Sequence, residues 1–380
     1  MSKDTRNVPA LRFKGFSDAW EKRCLKEILS VNSGRDYKHL LPGKVPVYGT
    51  GGYMLSVNEA LSHSDAIGIG RKGTIDRPFF LKAPFWTVDT LFFLTVKKEM
   101  VLSFVFPLLQ TIRWKQLDES TGVPSLSKKT IESIMVHVPQ KEEQQIIGNT
   151  FILIDNLIAA TQDKLEKLSV LQRGFLQHFF AQTWRFSGYS HAWENYRLGD
   201  VSTRVRGNDG RMNLPILTIS AGKGWLTQEQ RFSQNIAGNE LKKYTLLSKG
   251  ELSYNHGNSK LAEYGAVFVL KQFKEALVPR VYHSFNISGK ADPDFIEYLF
   301  ESGVPNHELR KLISSGARMD GLLNINYGSF MNISVRLPSI EEQNKIARVL
   351  EKLKKLTDET RLRLFNLQQA KKSLLRMLFP

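Results

Sequence analysis

The chain has 380 residues, a length typical of two or three domains, and its 53 Lys and Arg residues against 37 Asp and Glu residues give a formal net charge of +16. This charge favours a polyanionic partner, with nucleic acid as the first candidate and a membrane surface as the second. The opening MSKDTRNVPALRF lacks the apolar core of a signal peptide and no run approaches the roughly 20 apolar residues of a membrane span, so we expect a soluble, cytoplasmic protein.

The first block, residues 1–138, is predicted to be a mixed α/β domain with short strands. It opens with RFKGFSDAWEKRCL from Arg12, and its strands are predicted from AIGIGRKGTI, PFFLKA and DTLFFLTV. The stretch VPVYGTGGY, which starts at Val45, has the form of a strand that runs into a glycine-rich turn.

Three glycines of this block, Gly68, Gly70 and Gly73, satisfy the dinucleotide-binding pattern G-x-G-x-x-G. Such a site requires a helix to begin there, so that its N-terminus faces the pyrophosphate. A DRP tripeptide and the apolar run FFLKA follow instead, so we predict a hairpin and no nucleotide cofactor. The hairpin carries Arg71 and Lys72, which could approach a phosphate or a base edge, and a solvated surface turn is the alternative.

Residues 139–184 are predicted to form one long helix. Its apolar residues follow a four-three spacing that is interrupted at Thr161 and Gln172. The residues of this stripe are Ile147, Phe151, Ile154, Ile158, Leu165, Leu168, Phe175 and Phe179. The spacing predicts either a coiled coil or an ordinary amphipathic helix that packs on a core.

The second half of the chain repeats the first. RFSGYSHAWENYRL from Arg185 matches the opening of the first block, and PSIEEQNKI from Pro338 matches PQKEEQQII from Pro139. Residues 185–337 therefore form a second mixed α/β block, with strands predicted in LPILTIS and GAVFVLK, and residues 338–380 form a second long helix with a matching stripe. The sequences diverge between the shared motifs.

The fold class that we predict is α+β, with two mixed α/β domains held apart by two long antiparallel helices in a pseudo-twofold coiled-coil arrangement. Each helix would contain about 40 residues and extend roughly 60 Å. If the second helix returns along the first, the chain finishes beside the first block.

Motifs that carry catalysis or bind metal are largely missing from the sequence. There is no P-loop, no H-E-x-x-H, no G-x-S-x-G and no Asn-Pro-Pro-aromatic tetrapeptide, and the single cysteine excludes a zinc site built on paired cysteines. Asp292, Asp294 and Glu297 in ADPDFIEY could belong to a metal-dependent nuclease, or they could be the acidic start of a helix, which we favour.

The two openings, ALRFKGFSDAW and TWRFSGYSHAW, and the two P..EEQ..I connectors resemble the specificity (S) subunits of Type I restriction-modification systems over nearly the whole chain. The resemblance implies two target-recognition domains, each of which reads one half of an asymmetric two-part DNA sequence. It implies that the helices fix the unread gap and dock two methyltransferase subunits. Those subunits would carry S-adenosylmethionine and methylate adenine, and restriction subunits would use ATP and Mg²⁺. The present chain would be a non-catalytic subunit of a prokaryotic complex, with no cofactor of its own.

The resemblance also directs the choice of candidate site residues. For partner binding it points to the first turns of the two helices, at Glu142, Glu143, Gln144, Glu341, Glu342 and Gln343. For base reading we predict polar and basic residues of glycine-rich loops, which are Tyr48, Arg71, Lys72, Ser220, Lys223, His256, Asn258 and Lys260. The alternative function is a coiled-coil scaffold whose end domains bind protein, which would need the heptads but not the charge.

Overall fold

The computed structural model describes residues 8–232, 238–257, 260–313 and 323–380. The chain divides into two compact units: unit 1 comprises Met1–Lys164 and Thr360–Pro380, and unit 2 comprises Leu165–Glu359. The boundaries fall inside the two long helices, so each helix contributes residues to both units, whereas the predicted division gave each helix a segment of its own.

Unit 1 contains short strands and short helices together with the first part of a long helix. Its strands are β1 (Glu21–Cys24), β2 (Leu29–Ser33), β3 (Pro42–Gly49), β4 (Gly52–Val57), β5 (Ala66–Gly70), β6 (Phe79–Leu81), β7 (Trp86–Thr87), β8 (Leu91–Val96) and β9 (Met135–Val138). Its helices are α1 (Leu25–Ile28), α2 (Leu102–Thr111), α3 (Lys128–Ser133) and the long α4 (Lys141–Phe180), which continues into unit 2.

Unit 2 repeats this composition. Its strands are β10 (Glu194–Arg197), β11 (Ser202–Val205), β12 (Leu217–Ser220), β13 (Gly224–Thr227), β14 (Thr245–Ser248), β15 (Leu252–Asn255), β16 (Ala266–Val269), β17 (Glu275–Val278), β18 (His283–Ile287) and β19 (Ser334–Leu337). Its helices are α5 (Gln228–Phe232), α6 (Pro293–Glu301), α7 (Asn306–Lys311), α8 (Tyr327–Met331) and the long α9 (Ile340–Met377), whose end lies in unit 1. The predicted mixed α+β class with two long helices is confirmed.

The two units have the same strand order in their four-stranded sheets. In unit 1 a four-stranded sheet has the order β2-β8-β5-β6, and in unit 2 the order β11-β18-β15-β16 places the equivalent strands in the same positions. In each unit a further antiparallel pair joins the first strand to the last strand before the long helix, β1 with β9 and β10 with β19. The sequence repeat is therefore a structural repeat.

The glycine pattern of unit 1 forms the predicted hairpin. Strands β5 and β6 pair antiparallel, with Gly68 opposite Phe79. A Cβ atom at Gly68 would lie 3.0 Å from the Phe79 ring, and one at Gly70 would collide with the backbone oxygen of Thr74. These glycines are required by close packing within the hairpin, and the rejection of a dinucleotide-binding helix start at this position is confirmed.

An ion pair joins the opening segment of each unit to the start of a long helix. Arg12 donates two hydrogen bonds of 2.8 Å to the carboxylate of Glu143, which is 1% exposed. In unit 2, Arg185 binds Glu342 in the same way, with donor–acceptor distances of 3.0 and 2.6 Å. The bidentate geometry holds both planar groups in one orientation. The arginine of each RF.G motif and the second glutamate of each EEQ motif are thus bound to each other.

The glutamine that follows each of these glutamates forms a hydrogen bond to the backbone at the start of a second helix. The side-chain oxygen of Gln144 accepts a 3.0 Å hydrogen bond from the backbone N–H of Val101, the residue before α2, while its amide donates to the carbonyl of Pro139. Gln343 accepts an equivalent 2.9 Å bond from Asp292, the residue before α6. Each EEQ motif therefore supplies a hydrogen-bond partner for a backbone amide at another helix start.

The core of unit 1 includes the end of the chain. The Trp20 ring packs edge to face on Phe104 of α2 at 5.8 Å and on Phe379 at 6.1 Å, and the Leu11 amide donates to the Met377 carbonyl at 2.9 Å. The prediction that the chain returns to its first block is confirmed. Unit 2 contains the equivalent ring cluster, which consists of Trp193, Phe180 and Phe295.

Within unit 1 the two long helices run antiparallel. Phe151 of α4 packs on Phe379, with ring centroids 6.0 Å apart. One turn further along α4, the Asp155 carboxylate lies 2.6 Å from the ammonium of Lys371. Lys371 lies in α9 and precedes Phe379 in the chain. Residue numbers thus rise along one helix as they fall along the other.

We expect Glu143→Ala to destabilise unit 1 by about 3 kcal/mol, because it leaves the largely buried charge of Arg12 without its partner. The exposed pair Arg23–Glu21, in which the Glu21 side chain is 65% exposed, is the matched control, and Glu21→Ala should cost less than about 1 kcal/mol. Urea unfolding followed by tryptophan fluorescence measures both. Equal losses for the two variants would contradict the anchoring role of the buried pair.

Candidate nucleic-acid interface

Three segments of unit 1 meet on one surface, which we call loop cluster 1: residues 49–54, 71–74 and 121–126. A Cβ atom at Gly73 would lie 3.6 Å from the Thr50 hydroxyl, so the β3–β4 turn lies against the β5–β6 loop. The Gly73 amide donates to the Pro124 carbonyl at 2.8 Å, and the Leu126 amide donates to the Arg71 carbonyl at 2.9 Å. These backbone bonds hold the loops in fixed positions relative to one another.

Loop cluster 1 presents two cations. Arg71 and Lys72 are both exposed, and the guanidinium carbon of Arg71 lies 5.9 Å from the centroid of the Phe92 ring. Tyr48 is half-buried in β3, just before the first loop of the cluster, with its ring 6.4 Å from that of Tyr53. Three residues that we predicted from sequence for base reading are therefore brought to one surface, and their role stays a prediction.

The equivalent surface of unit 2, loop cluster 2, consists of the β12–β13 turn, residues 220–224, and residues 260–265. A Cβ atom at Gly222 would lie 3.0 Å from the side chain of Leu261, so the two loops touch. Lys223 and Lys260 are exposed, and Ser220 is half-buried at the end of β12. Asn258, also predicted for base reading, lies outside the described residues.

The structure corrects the predicted role of His256. Its side chain is 8% exposed, and both ring nitrogens face backbone carbonyl oxygens, of Leu323 at 2.8 Å and of Val281 at 3.0 Å. The ring also stacks on His283, at a centroid distance of 4.9 Å. A buried ring with both nitrogens engaged has no free group for a base edge, so His256 belongs to the interior of unit 2.

His283, which sequence reasoning missed, belongs to the same interior network. Burial lowers the pKa of His283 to about 4, so the ring is neutral near pH 7. Its Nε2 lies 2.9 Å from the Ile325 carbonyl oxygen and therefore carries the hydrogen. The two histidines together hold the segment that precedes α8 against strands β15 and β18.

Four of the six residues predicted to bind a partner have a different role in the structure. Glu143 and Gln144 are 1% and 3% exposed, and their side chains form the internal bonds described above. Glu342 and Gln343 are 1% and 0% exposed and are bound in the same way. These side chains cannot reach a partner because they already connect segments of this chain. The exposed candidates that remain are Glu142 and Glu341.

The acidic segment of unit 2 is a helix start, as we favoured from sequence. The Asp292 carboxylate accepts a 2.8 Å hydrogen bond from the first turn of α6, and Asp294 pairs with Lys271 at 2.8 Å. Glu297 accepts a 2.9 Å bond from a backbone amide of β16 and lies 3.5 Å from the Lys354 ammonium. Among the described residues no cluster of histidine, cysteine and acidic side chains could hold a metal ion.

Comparison with known proteins finds similarity to one family. Residues 17–170 match the model of the Type I restriction modification DNA specificity domain. The chain is 25% identical over 286 residues to the Type I restriction enzyme MjaVIII specificity subunit of Methanocaldococcus jannaschii, a match that covers 70% of this chain and 65% of that protein. It is 21% identical over 255 residues to the Type I restriction enzyme EcoKI specificity subunit of Escherichia coli, covering 62% of this chain and 54% of that protein.

A solved structure shares the fold. The S subunit of a Type I restriction-modification system from M. genitalium superposes with a TM-score of 0.71, at 15% identity, over 98% of this chain and 99% of that one. Residues 17–170 are therefore similar, by the family model, to the DNA specificity domain of the Type I restriction-modification class. Over nearly its whole length the chain shares the fold of that solved S subunit. In the part of the chain that the structure describes, no helix is both long and apolar enough to cross a membrane.

We expect His256→Ala to lower the stability of unit 2 by about 2 kcal/mol, because a backbone carbonyl group loses its hydrogen-bond donor and a cavity is left. Lys223→Ala, an exposed change in the same unit, should leave the melting temperature unchanged. Thermal unfolding monitored by circular dichroism measures both. A His256→Ala protein that is as stable as the wild type but binds DNA less well would restore the original assignment.

Proposed function

We propose that this chain is the DNA-recognition subunit of a Type I restriction-modification complex and that it carries out no catalysis itself. Each unit reads one half of an asymmetric, two-part sequence in double-stranded DNA. The observation that supports this most directly is the repetition of one four-stranded sheet with two different loop clusters. A shared scaffold with different loops suits two half-sites of different sequence, because base readout depends on the side chains that the loops present.

The exposed cations support DNA as the ligand of the loop clusters. Arg71 and Lys72 in loop cluster 1, and Lys223 and Lys260 in loop cluster 2, lie on exposed loops of a chain whose net charge is +16. Arginine can donate two parallel hydrogen bonds to a guanine edge, whereas lysine offers a point charge to a base or a phosphate. Tyr48 and Ser220 are half-buried at the borders of these surfaces, and this proposal keeps their role in base reading.

We propose that the long helices fix the gap between the half-sites and dock two methyltransferase subunits. Each helix contributes residues to both units, which is the connectivity that a fixed spacing requires. On α4 in unit 1, Ile146, Leu153 and Leu157 are 39%, 61% and 37% exposed and recur at helical spacing away from the buried stripe. An exposed apolar stripe of this kind suits a protein partner, and Glu142 and Glu341 lie at the first turns of the two helices.

The chemistry of the complex belongs to its other subunits in this proposal. The methyltransferase subunits carry S-adenosylmethionine and modify adenine, and the restriction subunits use ATP and Mg²⁺. This chain supplies recognition and assembly in the prokaryotic cytoplasm and holds no cofactor.

Deletion of the gene should abolish methylation of adenine at a single two-part motif with a fixed gap, while methylation of other motifs persists. Base-resolution mapping of methylated adenine in the genome, with and without the gene, gives the result directly. A host in which the methyltransferase subunits co-purify with the chain provides the control for an assembled complex. Unchanged methylation in such a host would overturn the proposed function.

We expect Arg71→Ala to weaken binding by about 1–3 kcal/mol for DNA that carries the half-site read by unit 1. The size of this loss should stay the same when only the other half-site is altered. Lys82→Ala, which removes a 79% exposed cation from the same unit outside loop cluster 1, is the matched control. Binding isotherms at several salt concentrations test this. An equal loss on unrelated DNA, with a shallower salt dependence, would assign Arg71 to a phosphate, and binding without salt dependence would favour a protein-binding scaffold.

A further inference from the structure

Two large side chains with apolar surface, Tyr53 and Met54, are exposed in loop cluster 1, which also carries Arg71 and Lys72. Tyr53 is 64% exposed and Met54 is 49% exposed, directly after the Gly51-Gly52 turn between β3 and β4. Val123, in the third segment of the cluster, is 67% exposed. Single exposed apolar residues are common on protein surfaces, but several on one loop cluster indicate a surface that binds something.

Contacts hold both side chains of the turn in place. The hydroxyl of Tyr53 lies 3.2 Å from that of Ser56, and the Tyr53 ring meets Tyr48 edge to face. The sulfur of Met54 covers Gly49, where a Cβ atom would lie 2.8 Å from it. The two side chains are therefore held against the hairpin and exposed at the same time, so little conformational entropy is lost when they contact a ligand.

Unit 2 presents the same combination in a different loop. Leu261 is 80% exposed in loop cluster 2, beside Lys260 and against the turn that carries Lys223. An apolar side chain among exposed cations is thus found at the equivalent surface of both units. The cations favour nucleic acid over an apolar protein surface as the ligand of these side chains.

We propose that Tyr53 and Met54 in unit 1, and Leu261 in unit 2, recognise thymine by apolar contact with its 5-methyl group in the major groove. This inference rests on the proposed function and names the contact by which each half-site is read. The thymine methyl is the apolar group that the base edges present in that groove, whereas cytosine, adenine and guanine present hydrogen-bonding groups. The flexible thioether of methionine and the amphipathic ring of tyrosine both adapt to a methyl group at a polar edge.

Replacement of thymine by deoxyuridine in the mapped target tests the proposal, because it removes the methyl group and keeps every hydrogen-bonding atom. With the wild-type chain, deoxyuridine in the half-site of unit 1 should weaken binding by about fourfold for each methyl contact. With a chain that carries Tyr53→Ser and Met54→Ser, binding should be weaker and the deoxyuridine substitution should have no further effect. The Leu261→Ser chain should lose its response to deoxyuridine in the other half-site only.

Met135→Ser is the matched control, since Met135 is 51% exposed on β9, outside loop cluster 1. It should retain the full response to deoxyuridine, and melting temperatures should show that all variants fold. Three outcomes would overturn this inference and leave the proposed function intact. The wild-type chain could bind the mapped target equally well with deoxyuridine, the variants could keep their response to deoxyuridine, or the half-sites could contain no thymine. Loss of methyltransferase co-purification with unchanged DNA discrimination would also overturn it and would assign the side chains to a protein interface. A wild-type chain with no preferred DNA sequence would instead overturn the proposed function itself.

Discussion

The buried ion pair between an opening arginine and a helix-start glutamate is the constraint on which the rest of this structure depends. Arg12 and Glu143 lie far apart in sequence, yet each satisfies the other's charge at a site nearly closed to solvent, and Arg185 and Glu342 repeat the arrangement. A charge in such a place is costly without its partner, so neither residue can change independently. The adjacent glutamine adds a hydrogen bond to a second helix start, which brings the opening segment, the long helix and the interior helix of the unit to one point.

This constraint explains why the same short motifs appear in both halves while the sequences between them diverge. The residues of these motifs form the buried ion pair, the glutamine hydrogen bonds and the packing of the tryptophan ring in each unit. All of these contacts must be satisfied together. The loops carry no such requirement beyond the backbone bonds that hold them in position. The loops can therefore change while the scaffold stays the same, which is the property that the proposed function requires.

Each unit is completed by residues that are distant in the chain. The rings at the end of the polypeptide fill the core of unit 1, and those at the end of α4 fill the core of unit 2. In unit 1, one hydrophobic core thus contains residues from near both ends of the sequence, Trp20 and Phe379. A substitution at either end is expected to disturb the packing of that core. On the loops the chemistry differs: cations lie beside exposed apolar side chains, and this mixture suits the edges of base pairs, which are polar except at the thymine methyl.

The sequence by itself determined the features that depend on local pattern. The repeated motifs, the four-three spacing of the helices, the glycine hairpin and the acidic start of α6 were predictable because each results from backbone geometry or from spacing along the chain. The tertiary structure alone decided which polar side chains stay available. His256 and Glu143 have the residue types of binding groups, but both are enclosed by partners remote in sequence, and Tyr53 and Met54 have the residue types of a core but are exposed. Spacing along the chain identifies the face on which a side chain lies, whereas its partner depends on how distant segments pack together.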